Sequence, residues 1–152
     1  KMATTVTTAT LQVDVVENIT INGTTYDQTV TKSITGIGNV SKRIHSIPAN
    51  SSVTIATFSA TGNGINYDVD DFKYLRITNL DDTENLIITK AFNATAAGTE
   101  LRAGCSVTYF SPNGFGATSK AAIETQDDIE ALFIHNAHGS AVVDVEVFIA
   151  TV

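Results

Sequence analysis

The chain has 152 residues, with 9 Lys and Arg against 16 Asp and Glu, giving a formal net charge of −7. That length supports one core burying roughly two thirds of the unfolded chain's surface, and the acidity excludes direct nucleic-acid binding, because a phosphate backbone needs a basic surface to release its counterions. Charged residues make up only 16%; Thr, Ser and Asn carry the polarity, and abundant Thr and Val favour strands.

Residues 1–10, KMATTVTTAT, have no periodicity, and neither a standard secretion signal nor a membrane span is expected from the sequence. From Leu11 an alternation begins, with Leu11, Val13, Val15, Ile19 and Ile21 on one parity and Gln12, Asp14, Asn18 and Thr20 on the other. Asn22-Gly23 is a strong hairpin turn signal, since both residues tolerate positive φ. The returning strand carries Tyr26, Val30 and Ile34 in phase, so 11–34 reads as one hairpin. Residues 40–48, VSKRIHSIP, form a weaker strand stopped by Pro48, and 53–60, VTIATFSA, a better one. After a Gly/Asn/Asp loop (61–71), the strands 72–80 and 86–92 flank the acidic segment LDDTEN and alternate well enough to pair with each other. Leu75 and Ile77 are expected to face the core against Ile87 or Ile88.

The segment NATAAGTELRAG reads as a connection to a strand over 105–111, followed by a long segment, 112–128, in which a helical turn within 119–127 is open. Thr125 to Asp128 fits a capping box, but 129–137 is short and followed at once by a turn, so it is expected as a strand. The last strand, 141–152, puts Val143, Val145, Val147 and Ile149 on one face and Asp144 and Glu146 on the other. About nine short strands and almost no helix indicate an all-β fold, a jelly-roll-like antiparallel β-sandwich with an N-terminal β-hairpin or extended arm. Residues 1–50 are expected as arm and hairpin extension, and 51–152 as the sandwich body.

No catalytic motif emerges. Asp81, Asp82 and Glu84 sit at an expected turn, where both aspartates stay ionised and neither is the desolvated acid that general acid/base work requires. Asp68, Asp70 and Asp71, with Asn63 and Asn66, offer oxygen ligands and are weak calcium candidates, without EF-hand spacing. His135 and His138 lack further zinc ligands in the sequence, and His45 stands alone. Cys105, the one cysteine, alternates with Val107 and Tyr109 and reads as a small buried hydrophobe. Tyr67 and Phe115, in Gly-rich loops, are possible sugar-stacking aromatics. No catalytic residue, metal or cofactor is assigned, and an enzyme is not expected.

The stretches VDDFKYLRITNLDDTENLIITKAF, AGTELRAGCSVTYF and IEALFIHNAHGSAVVDVEVFIATV resemble small jelly-roll virion structural proteins of tailed bacteriophages, and ITINGTTYDQTVTKSITGIGNVSKRI is similar to their N-terminal hairpin. The resemblance covers most of 18–152, and its motifs are structural. It implies a capsid decoration or cement protein on the outer surface of an icosahedral shell, as a homotrimer contacting the major capsid protein, with no direct nucleic-acid or membrane contact. The region 11–50 would then be the main contact region, with Val13, Val15, Ile19, Ile21 and Tyr26 as apolar anchors. The alternative is a tail-fibre, knob or baseplate component with a glycan-binding β-sandwich.

Overall fold

The computed structural model describes residues 7–59, 66–92, 95–110 and 129–152. Within them lie β1 (Ala9–Ile21), β2 (Thr24–Ile37), β3 (Asn39–Ile47), β4 (Ser51–Ser59), β5 (Tyr67–Asp68), β6 (Phe72–Asn79), β7 (Leu86–Phe92), β8 (Thr95–Leu101), β9 (Ser106–Phe110), β10 (Ile129–Asn136) and β11 (Val143–Thr151). The fold is all-β. Strands β1 and β2 form a separate two-stranded ribbon, and the rest divide into a sheet of order β3-β11-β6-β9 and a sheet of order β5-β4-β10-β7-β8. Without the two-residue β5, which pairs parallel to β4, the orders are those of a jelly roll built from antiparallel pairs.

Period-two alternation builds the sandwich, because successive side chains point to opposite faces of a sheet. Val143, Val145, Val147 and Ile149 of β11 are buried while Asp144 is exposed, as the sequence pattern requires. Leu75 and Ile77 of β6 meet Leu86 and Ile88 of β7 and Leu132 and Ile134 of β10 in one cluster between the sheets. Full burial contributes roughly 1.5–3 kcal/mol for each such side chain. Phe58, Tyr67 and Phe72 close the cluster edge to face, with Phe72 centred 5.0 Å from Phe58 and 5.3 Å from Tyr67.

The strands flanking LDDTEN do not pair with each other. Strand β6 lies between β11 and β9, whereas β7 lies between β10 and β8 in the opposite sheet. Residues 80–85 are therefore a corner that carries the chain across the sandwich. Alternation fixes which side chains face inward, but a hairpin and a crossover present the same alternation. Ile88 is the inward residue and Ile87 the exposed one. Strand β8, expected as a connection, is an edge strand whose Ala96, Ala97, Gly98 and Thr99 are exposed; it lacks the apolar alternation that marks a half-buried strand. Strand β3, within the first 50 residues, lies along β11 from Val143↔Ile47 to Thr151↔Asn39.

Four connections gather at one end of the sandwich. There the Asn50 amide donates to the His138 carbonyl, Leu80 to Asp144, Asn79 to Cys105 and Gly104 to Asp81. Two buried carboxamides hold this end together. Asn79 Nδ2 donates to the carbonyls of Glu84 (2.7 Å) and Leu101 (3.3 Å), and its Oδ1 accepts from the Asp81 amide. Asn136 repeats the arrangement, donating to the carbonyls of Ile47 (3.0 Å) and Ala141 (2.8 Å) and accepting from the His138 amide. Each Asn satisfies two carbonyls and one N–H that the turning chain would otherwise leave unpaired.

Asn136→Ala is expected to cost about 2–5 kcal/mol, because it leaves buried acceptors without partners, whereas Asp82→Ala at the exposed corner stays within about 0.5 kcal/mol. Urea denaturation followed by circular dichroism separates the two, and equal midpoints for both variants would refute the assigned role of Asn136.

Candidate functional site: the apolar face of the hairpin

Asn22 and Gly23 turn the hairpin with φ of 53° and 80°, the pair of positive values that a two-residue type I′ turn needs. The register Leu11↔Ile34, Val13↔Lys32, Val15↔Val30, Glu17↔Gln28, Ile19↔Tyr26 and Ile21↔Thr24 places odd-numbered β1 residues and their partners on one face. The other face carries Gln12/Ser33, Asp14/Thr31, Val16/Thr29, Asn18/Asp27 and Thr20/Thr25. The ribbon is thus amphipathic. With 13 residues in β1 it reaches roughly 40 Å.

Only its base is covered. Ile34 and Ile37 are buried with Tyr74 of β6 and Ala150 of β11, and Leu11, Val13 and Phe148 pack against them. Tyr74 and Phe148, whose rings meet edge to face at 5.6 Å, belong to the outer face of the four-stranded sheet. Beyond this base the apolar face is bare, with between 48% (Val15) and 59% (Tyr26) of Val15, Ile19, Ile21, Tyr26 and Val30 exposed. A two-stranded ribbon alone is at best marginally stable in water. An exposed apolar strip of this kind, interrupted only by the Glu17–Gln28 pair, is a candidate contact surface.

The expected anchors Val13, Val15, Ile19, Ile21 and Tyr26 all lie on this face; Val13 is half-buried at its base and the other four project beyond it. Val30 completes the strip, and its cross-strand place opposite Val15 follows once the turn sets the register. Outside the ribbon, Val40 and Ile44 are exposed on β3 and flank Lys42, whose ammonium meets Glu146 of β11 at 2.9 Å. Glu146 also pairs with Arg76, and Lys42 first, then Arg76, hold its carboxyl below the ordinary 4.5.

The other candidates have structural surroundings. Asp81 accepts from the Thr83 and Glu84 amides at 2.8 Å each, which fixes the corner and, with Glu84 the larger influence, holds its carboxyl below the ordinary 3.8. Asp68 accepts from the Asp70 amide, and no three His, Cys, Asp or Glu side chains converge on a metal position among the described residues. His138 Nδ1 accepts from the Ser140 and Ala141 amides, and its Nε2 lies 3.2 Å from Glu84, while His135 Nδ1 is 2.9 Å from Ser52 Oγ. Tyr67 packs on Phe58 and Phe72. Cys105 is exposed, contrary to expectation; it precedes β9 in a corner turned by Gly104 at φ 66°, so strand parity does not reach it. Asn63, Phe115, the 119–127 turn and the Thr125–Asp128 box lie outside the described residues.

No protein-family model, curated protein or solved structure matches this chain.

Because the folded state depresses the Asp81 pKa, its contribution is present above the ordinary 3.8 and lost as pH falls through the lower folded value. Wild-type melting temperature is expected to drop more steeply than that of Asp81→Ala between about pH 4 and pH 2. Parallel melting curves for the two proteins would contradict this.

Proposed function

We propose that this protein is a virion structural protein, a capsid decoration or cement protein that binds and stabilises the outside of an icosahedral shell as a closed oligomer, in keeping with the phage-type resemblance of its sequence. The observation that carries this reading is the hairpin's bare apolar face joined to a jelly-roll body. The net charge of −7 suits a protein held at high local copy number on a particle.

The occupant of the bare face is the outer four-stranded sheet of a second copy. At its base the ribbon already packs Leu11 and Val13 on Tyr74, Phe148 and Ala150 of that sheet's outer face, so the same chemistry continued between subunits covers the remaining strip. Val40 and Ile44 supply exposed apolar surface next to Lys42, and Glu17 on the ribbon face has the complementary charge. Covering the exposed half of each ribbon anchor contributes roughly 1 kcal/mol per side chain. Head-to-tail seating of each ribbon on the next copy closes as a symmetric ring, and the resemblance sets the expected number of copies at three. The assembled body then contacts the major capsid protein.

Ile19→Asp with Tyr26→Ser is expected to weaken self-association by at least about 100-fold, since the pair removes apolar contact and buries a charge. The melting transition of the body should move by only a few degrees. Sedimentation velocity reads the association, and electron microscopy of virions places the protein. A monomeric wild-type chain, unchanged association in the double variant, or density at the tail tip would each overturn the reading.

A further inference from the structure

A second feature lies at the open margin between β3 and the opposite sheet. On β3 the residues Ser41, Arg43, His45 and Ile47 share the inward parity, because they pair with Ile149, Val147, Val145 and Val143 of β11, all of them buried. Ile47 obeys the pattern and is fully buried. The next three inward positions carry a hydroxyl, a guanidinium and an imidazole where the sandwich calls for apolar side chains. They line a cleft of about 90 Å³ together with Ile55, Tyr67, Val147 and Ile149. That space holds roughly three waters' share of liquid volume.

At neutral pH the charged side chain lining this cleft is the Arg43 guanidinium, a cation in a chain whose net charge is −7. Among the described residues Arg43 makes no ion pair, as is also true of Lys32, Lys73 and Lys90, but of these cations it alone lines the cleft. Of the neighbouring acids, Glu146 of β11 lies on the outer face with Lys42 and Arg76, and Asp68 of β5 accepts from the Asp70 amide and forms no ion pair with Arg43. Strand β4 contributes Ile55, and the titratable or charged lining groups are Arg43, His45 and Tyr67. Burial first, then the Arg43 charge, hold the His45 imidazole below its ordinary 6.5. On this edge strand Ser41 and His45 are half-buried and Arg43 is exposed, so its guanidinium donors, which form no ion pair among the described residues, are open to a ligand at the mouth of the cleft.

We infer that the cleft between β3 and β4/β5 binds a small oxyanion, a free phosphate-type or carboxylate ion, through the Arg43 guanidinium, the His45 imidazolium and the Ser41 hydroxyl. The guanidinium presents paired N–H donors suited to two oxygens of one anion. The anion stabilises the charged imidazole, so binding takes up a proton and tightens as pH falls through the His45 titration. Shell assembly and anion capture are separate properties, and loss of one leaves the other intact.

The test follows the three histidine ring signals of the full-length protein by proton–carbon NMR, with inorganic phosphate and sodium acetate titrated separately at fixed pH. A saturable shift confined to His45, tighter at lower pH, is the expected result; phosphate alone acting identifies a tetrahedral ligand, and both acting identifies general oxyanion recognition. Arg43→Gln is expected to weaken binding at least about tenfold, and His45→Gln to abolish its pH dependence, with unchanged His138 and His135 signals certifying the fold of the first variant and His135 and His138 that of the second. Absence of saturation with both anions, equal shifts at all three histidines, or unaltered affinity in Arg43→Gln would overturn the inference.

Discussion

Among the eight main strands of the body the chain changes sheet at every connection except β7 to β8. Each crossing turns the backbone at the rim of a dry core, where an unpaired N–H or carbonyl costs about 1–3 kcal/mol. The inner faces can close on one another only if those groups find partners, and the buried Asn79 and Asn136 side chains provide them at two crossings. The corners match in detail. In each, the Asn accepts from the amide two residues on, and the side chain of that later residue, Asp81 or His138, accepts from two further amides. Glu84 and His138 then join the two corners at 3.2 Å. The acidic cluster, expected at a turn, is a device for turning a corner.

Much of this was legible in the sequence, and the limits have a physical origin. Alternation reports the environment of a residue, so the inward faces of β6, β10 and β11 and both strands of the hairpin were readable, and Asn22-Gly23 fixed the hairpin's register. Alternation is silent about which strand lies alongside, which is why 72–80 and 86–92 looked like partners when they belong to opposite sheets. Strand β8 escaped because an exposed edge rich in Ala and Gly has no inward face to reveal. The Asn corners left a signal that needs both copies to be compared: Ile77-Thr78-Asn79-x-Asp81 against Ile134-His135-Asn136-x-His138, with a fully buried Leu86 or Val143 at the same distance beyond. The candidate contact face was readable in its anchors, whereas Val40, Ile44 and the Ser41-Arg43-His45 row acquire meaning only once β3 is placed against β11.

Set against this satisfied body, the ribbon is the part of the molecule that its own chain does not finish. Its base is held by Leu11, Val13, Ile34 and Ile37 against the outer sheet face, while further out the strip from Val15 to Tyr26 is exposed and belongs to neither hydrophobic cluster of the described residues. A ribbon of that length has few means of remaining ordered alone, since two strands bury little between them. On the proposed reading, ordering it on a second copy would join a local instability to assembly: the contact that links subunits would also complete the ribbon's fold. The body, closed by its own corners, has no such dependence.

That coupling is measured most directly by amide hydrogen exchange of the β1 and β2 backbone across protein concentrations spanning assembly. The account predicts that exchange in the ribbon slows by at least about 100-fold between dilute and assembled protein, while β6, β10 and β11 exchange at rates independent of concentration. Ribbon amides protected equally at every concentration, in a chain that stays monomeric, would contradict it.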